Sequence, residues 1–158
     1  MALSLQTRVA FDALIVTVVT PELTPSGYRK RGLRWTRSHD EIKYTIRLER
    51  ERHGRWLDEV CFTFGFDVRT PEVSLGGRVG ALMPEPDDVW WQVRAGVLRR
   101  KTVLASLEPD LVEHEIADAV GRVVETIHAL TSTAAVRSFA ATNVASIENG
   151  LLYVGDSR

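Results

Sequence analysis

The feature that most constrains the fold is an unbroken alternation of apolar and polar positions between residues 60 and 68. Large apolar residues take every second position, and small or polar residues fill the positions between them: Val60, Phe62, Phe64, Phe66 and Val68 against Cys61, Thr63, Gly65 and Asp67. A β-strand places alternate residues on opposite sides. The segment therefore predicts a sheet with one face in a core and one polar face.

The same period of two recurs in residues 42–51, where Tyr44, Ile46 and Leu48 share one side. Residues 28–36 and 89–93 are shorter strand candidates, separated from the others by turn residues. The region 70–88 is rich in glycine and proline, which predicts a long loop that holds a short strand near residues 73–75. We therefore expect an antiparallel β-meander of about four to five strands.

Helical periodicity flanks the strands at both ends of the chain. Ser4 can cap a first helix, whose predicted buried stripe is Leu5, Val9, Ala13 and Val16, widened by Phe11, Leu14, Ile15 and Val18. Residues 110–130 form the strongest amphipathic pattern, and residues 134–143 form a shorter one. The tail, residues 144–158, can be an edge strand or a segment laid on the core. The prediction is a single globular α+β domain over residues 1–158, with the N-terminal and C-terminal helices packed on one face of the sheet.

Positive charge is concentrated in one part of the chain. Residues 28–56 hold ten basic and four acidic residues, a local charge of +6, while the rest holds ten basic and seventeen acidic residues, or −7. Basic and aromatic residues are interleaved in and beyond this segment, and the candidate binding residues are Tyr28, Arg34, Trp35, Lys43, Arg47, Arg50, Trp90 and Trp91. An exposed Trp90–Trp91 pair would also suit a homodimer or a docking groove.

Three interpretations of the basic segment remain open. Arginine and aromatic residues dominate the binding energy of protein interfaces, which favours a protein partner. The same residue types suit phosphate contact and base stacking, so the alternative is a nucleic-acid-binding domain that uses the Arg-rich sheet of residues 28–56. Cross-strand pairing with acids would instead leave a solvated, near-neutral surface. The first interpretation predicts a non-catalytic protein-binding domain, either immunity-type or regulatory.

The sequence predicts no catalytic residues, no metal and no cofactor. The segment that begins at His114 has Asp118 where the zinc-protease helix signature needs a second histidine. Cys61 is the only cysteine, so no intramolecular disulfide can form, and a lone strand cysteine is usually a small packing residue. An enzyme built from scattered residues such as Asp67, His39 or Glu72 is a third hypothesis.

The beginning of the chain lacks the basic segment that precedes a secretory signal. The longest apolar run, residues 13–19, is too short to span a bilayer. We therefore expect a cytoplasmic protein with no membrane partner.

The segment around the first turn also resembles a known family. It carries a pattern of small, aromatic and basic residues, namely Leu23, Pro25, Gly27, Tyr28, Arg29, Lys30, Gly32 and Trp35. Together with the Trp90–Trp91 pair and the two helices after it, this pattern resembles the bacterial domain-of-unknown-function family 4304 over about residues 3–142. The resemblance implies a helix followed by a β-meander, and it implies no activity and no catalytic residues.

Overall fold

The computed structural model of the protein describes residues 3–51, 58–101 and 109–157. It begins with a helical segment that comprises α1 (Leu5–Leu14), a π-helical turn (Ile15–Val19), α2 (Thr20–Leu23) and a 3-10 turn (Thr24–Ser26). Ser4 caps α1 as predicted, because its hydroxyl accepts a hydrogen bond from the Thr7 N–H at 3.2 Å. Gly27 follows the segment with a φ of +89°, a left-handed conformation that glycine adopts without a steric penalty.

Within the described residues, eight antiparallel strands form one sheet. They are β1 (Arg29–Arg31), β2 (Arg34–His39), β3 (Ile42–Arg50), β4 (Glu59–Arg69), β5 (Val73–Arg78), β6 (Trp91–Arg94), β7 (Val97–Arg100) and β8 (Leu152–Asp156). Six of them follow the order β1-β2-β3-β4-β5-β8, while β6 pairs with the first half of β4 and carries β7. The α+β class is confirmed, and the sheet is larger than the four to five strands predicted.

The additional strands arise where the alternation pattern gives no signal. Gly32 has a φ of +62° and splits the predicted first strand into the β1–β2 hairpin. The turn at Ala95 and Gly96 reverses the chain after β6 and so creates β7. The C-terminal tail supplies β8, so it takes the edge-strand path of the two left open. The region 70–88 contains all of β5 and a 3-10 turn, which leaves residues 83–90 as the loop.

The core forms around β4, whose alternation is as predicted. Phe62, Phe64 and Phe66 are fully buried on one side of the strand. Phe11 of α1 meets Phe62 edge to face, with 5.6 Å between ring centroids. Each buried side chain of this size contributes about 1.5–3 kcal/mol of transfer free energy. The aromatic row therefore fixes which face of the sheet the helices cover.

The C-terminal helices pack on this same face. They are α3 (Pro109–His128), α4 (Thr133–Thr142) and α5 (Val144–Glu148). The predicted stripe of α3 is buried at Val112, Ile116, Ala119, Val120, Val123 and Ile127. Tyr44 of β3 donates a hydrogen bond to the Leu130 carbonyl at 2.9 Å, which ties the end of α3 to the sheet. The prediction that N-terminal and C-terminal helices cover one face is confirmed.

The predicted buried stripe of the first helix is correct for Phe11, Leu14 and Ile15 and wrong for the central residues that it widens. Leu5, Val9 and Val16 are 69%, 57% and 67% exposed, whereas the residues that face the core are Phe11, Leu14, Ile15 and Val19. The helix is apolar on two sides, and the side that carries the aromatic ring buries more area against the sheet. The other apolar stripe remains in solvent.

The helical segment Leu5–Ser26 is longer than the apolar run that the sequence prediction considered. By length and mean hydropathy, 1.2, it has the properties of a helix that could cross a membrane. Core helices of soluble proteins and signal sequences share these properties. Here the side with Phe11, Leu14 and Val19 is buried against the rest of the protein.

Candidate functional site

Most polar side chains of β3 and β4 lie on the face opposite the helices, which we call the open face. Loop 83–90 lies over one part of it, where the Thr63 hydroxyl donates a hydrogen bond to the Val89 carbonyl at 2.6 Å. Another part carries the exposed side chains of Arg34, Lys43 and Arg69. We call this part of the open face the basic end, and it is accessible to a partner.

Strand register creates three pairs of like charges at the basic end. The residues that lie directly opposite each other are Arg31 and Arg34, Arg34 and Arg47, and Lys43 and Arg69. Like charges in this position destabilise a sheet. Stability of the fold therefore does not explain the arrangement, and a bound anion would relieve the repulsion.

Within the part of the chain that the structure describes, Arg47 is the one member of this set that carboxylates neutralise. Its Nε donates to Glu49 Oε1 at 2.9 Å, and its Nη1 donates to Asp67 Oδ2. Burial by itself would lower the pKa of Arg47, but the charges of Asp67 and Glu49 outweigh this effect and raise it. Tyr153 donates to the other Asp67 oxygen at 2.7 Å. Both oxygens of Asp67 thus accept a hydrogen bond, and Arg47 neutralises the negative charge of this carboxylate.

A pocket of about 360 Å³ opens at the basic end, lined by Arg34, Lys43, Thr45, Asp67, Val68, Arg69, Ser74 and Tyr153. Among the described residues, Arg34 and Lys43 form no ion pair with a carboxylate. Arg69 donates a hydrogen bond to the Ser157 carbonyl at 2.5 Å, and this neutral acceptor leaves the positive charge of Arg69 uncompensated. Because Asp67 is already paired, the pocket retains an excess of positive charge.

The wall of the pocket depends on a close contact between Tyr153 and Gly76. A Cβ atom at Gly76 would lie 2.1 Å from the Cζ of the Tyr153 ring, so this ring position requires glycine. The hydroxyl groups of Thr45 and Ser74 line the same pocket. An anion held here would accept charge-assisted hydrogen bonds from the basic groups and neutral ones from the hydroxyls.

The structure separates most of the predicted aromatic residues from the basic end. Tyr28, Trp35 and Trp91 are 4%, 0% and 0% exposed, which corrects the expectation that these rings are accessible to a partner. Each takes a core position, since the alternation that puts Arg34 outward puts Trp35 inward. Trp90 is half-buried, with the Arg78 guanidinium 5.2 Å from its ring centroid.

Arg50 also lies apart from the basic end, although it was predicted to lie near Arg47. The two residues are three positions apart, so the strand places their side chains on opposite faces. The Arg50 guanidinium stands 5.3 Å from the centroid of the Phe11 ring on the helix side. His53 and Trp56, two further residues of the segment 28–56, lie outside the described residues.

A second polar cluster, on the helix side, has no signal in the sequence. His128 Nε2 lies 2.9 Å from the Tyr28 hydroxyl and 3.0 Å from Arg37 Nη1. Burial and then the charge of Arg37 lower the pKa of His128, which favours a neutral imidazole. The contacts join residues about a hundred positions apart and tie the end of α3 to β2. The cluster therefore has a clear structural role.

Other candidates for chemistry are engaged in structural contacts. Within residues 3–51, 58–101 and 109–157, no three His, Cys, Asp or Glu side chains form a group that could hold a metal ion. Glu115 accepts hydrogen bonds from Trp91 Nε1 at 2.8 Å and from Arg100 at 3.2 Å. Burial, followed by the charge of Glu59, raises the pKa of Cys61 to about 11. A thiol with this pKa is a poor nucleophile at neutral pH.

Comparison with protein-family models, curated proteins and solved structures finds no match to this chain. The resemblance to family 4304 therefore stays a prediction.

Proposed function

We propose that the protein is a non-catalytic binding domain that recognises an acidic segment of a protein partner through the basic end of the open face. The observation that supports this proposal best is the group of Arg34, Lys43 and Arg69 at one pocket, where Lys43 and Arg69 lie directly opposite each other. An anion bound between them would relieve their repulsion. Arg34 and Lys43 reach the pocket without a carboxylate partner among the described residues. Side-chain carboxylates of a partner match the fork of donors on arginine.

The surroundings of the basic end favour a protein over a nucleic acid. Proteins that bind single-stranded nucleic acid stack the bases on exposed aromatic rings. Tyr28, Trp35 and Tyr44, the aromatic residues of the basic segment within the described residues, are buried on the helix side. The Tyr153 ring at the pocket packs over Gly76 and donates a hydrogen bond to Asp67. A short acidic peptide needs no stacking ring, because its carboxylates can accept hydrogen bonds from the basic groups that line the pocket.

The polarity of the face also bears on the kind of partner. A toxin that acts on nucleic acid has a basic site, so an immunity protein against it needs an acidic contact surface. The basic end has the opposite charge. We therefore favour a regulatory partner with an acidic contact segment over an immunity function against a nuclease.

Titration of a fluorescently labelled glutamate-rich peptide tests the proposal. We expect Arg34→Glu and Lys43→Glu each to weaken peptide binding about tenfold or more, equivalent to about 1.4 kcal/mol. Lys30→Glu is the matched control, because Lys30 is exposed on β1 but pairs with Trp35 on the helix side of the sheet. A Lys30→Glu effect as large as that of Lys43→Glu would reduce the result to non-specific charge attraction and refute the proposal.

A single-stranded RNA of the same charge as the peptide provides the decisive competitor. The proposal fails if the RNA binds more tightly than the peptide and if Arg34→Glu and Lys43→Glu abolish RNA binding. The basic end would then be a nucleic-acid site. If the peptide binds more tightly at low and at moderate salt, the protein-binding function is supported. The comparison must be made at both salt concentrations because phosphate binding weakens steeply as salt rises.

A further inference from the structure

The outward side of α1 and of the π-helical turn that follows it carries an apolar stripe that the domain leaves in solvent. Leu5, Val9 and Val16 are 69%, 57% and 67% exposed, and Ala13 is exposed beside them. Residues spaced three to four apart align on one side of a helix. Contiguous exposed apolar surface of this kind marks an interaction site. The stripe is on the helix side of the sheet, away from the open face.

Two opposite charges border the stripe along one edge. Arg8 and Asp12 are exposed one helical turn apart, and neither forms an ion pair with another described residue. Within a single helix, an ion pair stabilises less when the basic residue precedes the acidic residue by four positions than when the order is reversed. Both charges are therefore available to a surface that carries the complementary pair.

We propose that α1 binds α1 of a second copy of the chain in an antiparallel, two-fold symmetric pair. In such a pair, each edge of one helix meets the same edge of its partner, and opposite positions have residue numbers with a constant sum. With a sum of about 21, Leu5 meets the partner's Val16 and Val9 meets the partner's Ala13. On the polar edge, Arg8 then meets the partner's Asp12, and each of these contacts occurs twice.

An apolar groove beside the stripe adds room for partner side chains. It encloses about 280 Å³ between α1, β7 and α3, and its lining includes Ala10, Ala13, Thr17, Val97 and Pro109. Val97 is 38% exposed at this surface. The proposed register sets the partner's Val9 opposite Ala13, at the groove, where burial of its methyl groups would strengthen the contact.

The charge pattern favours a second copy over a lipid surface. Helices that lie on membranes carry mainly Lys and Arg on their polar side. The edge of this stripe instead carries one cation and one anion, an arrangement that complements itself when the two helices are antiparallel. A seam of one short helix per copy is smaller than the 1,200–2,000 Å² of most stable interfaces. We therefore expect a dimer that dissociates on dilution.

Sedimentation equilibrium over a range of concentrations tests the pairing through two charge variants. Arg8→Asp gives a helix with two acids on the edge and Asp12→Arg gives one with two bases, so each variant alone sets like charges against each other. We expect each to weaken self-association about tenfold or more. An equimolar mixture should recover the wild-type affinity as a heterodimer, because every edge contact is then between opposite charges. Neither altered folding nor pairing within one helix predicts this recovery.

Further variants make the result decisive. Val9→Asp should abolish the dimer, Lys30→Glu should leave it unchanged, and circular dichroism should show that both variants remain folded. A wild-type protein that is monomeric at every concentration overturns the proposal. So does a mixture that forms no heterodimer, or a dimer that survives Val9→Asp. Binding of the monomer to anionic vesicles, lost with Val9→Asp, would assign the stripe to a lipid surface instead and overturn it as well.

Discussion

Replacing Trp35 and Trp91 by phenylalanine tests how the core satisfies its polar atoms. Trp35 and Trp91 are both 0% exposed, so the substitution removes a similar apolar area from each site. The two residues differ at the indole N–H. Trp91 Nε1 donates to Glu115 Oε1 at 2.8 Å, whereas Trp35 Nε1 is buried and has no hydrogen-bond partner among the described residues. The loss of the N–H should therefore have opposite effects at the two sites.

The expected difference follows from these two environments. Trp91→Phe loses a hydrogen bond to a charged acceptor, which is worth about 1.5–3 kcal/mol. Trp35→Phe removes a buried N–H whose desolvation costs about 1–3 kcal/mol, and this gain offsets part of the lost packing. We expect the free energy of unfolding to be lower for Trp91→Phe than for Trp35→Phe by at least about 2 kcal/mol. The corresponding difference in Tm is about 4–8 °C for a chain of this size.

Urea unfolding followed by far-ultraviolet circular dichroism measures both variants without relying on tryptophan fluorescence. Combining each substitution with Glu115→Gln completes two double-mutant cycles. The cycle with Trp91 should show a coupling energy above about 0.5 kcal/mol, and the cycle with Trp35 should be additive. Equal destabilisation by the two tryptophan substitutions, or a larger effect at Trp35, would refute the assignment of their N–H groups.

Two other predictions concern the half-buried His128 and a tightly packed glycine. Burial and the charge of Arg37 lower the pKa of His128 in the folded state, so below about pH 6.5 the unfolded chain binds more protons than the folded one and the free energy of unfolding should fall. His128→Gln should reduce this fall in a plot of urea midpoint against pH. An unchanged slope in the variant would contradict the assignment. A Cβ at Gly80 would lie 1.6 Å from the Asp87 carbonyl oxygen, whereas one at Gly155 meets no atom within 4 Å. Thermal unfolding should therefore show a loss of about 1–3 kcal/mol for Gly80→Ala and less than about 0.5 kcal/mol for Gly155→Ala, and similar losses would disprove the packing argument.

Regular elements with one buried face could be predicted from the sequence. The alternation through Phe62, Phe64 and Phe66 placed β4 and its core side correctly, and the apolar stripe of α3 is buried as expected. These predictions succeed because burial imposes the period of the backbone directly on the side chains. The Ser4 cap has the same local character, since it involves residues only three positions apart.

The candidate binding site could be predicted only in part. The Lys and Arg content of residues 28–56 marked the basic end, and Arg34, Lys43 and Arg47 do share one face. Arg69 joins this group through the β3–β4 register. It lies outside residues 28–56, so the composition of that segment could not predict it. Tyr153 reaches the same pocket from the last strand, about eighty residues after Asp67. No local pattern connects these two segments, so their meeting depends on the strand order.

The sequence by itself determined the secondary structure period, the charged segment and the α+β class, because these depend on neighbours along the chain. The tertiary structure decided which side of α1 is buried, since the helix has two apolar sides and only contact with the sheet distinguishes them. It also decided which cations are neutralised. Arg47 is paired with Asp67 and Glu49, whereas Lys43 faces Arg69. Electrostatic pairing depends on distances across the sheet, and strand pairing sets those distances.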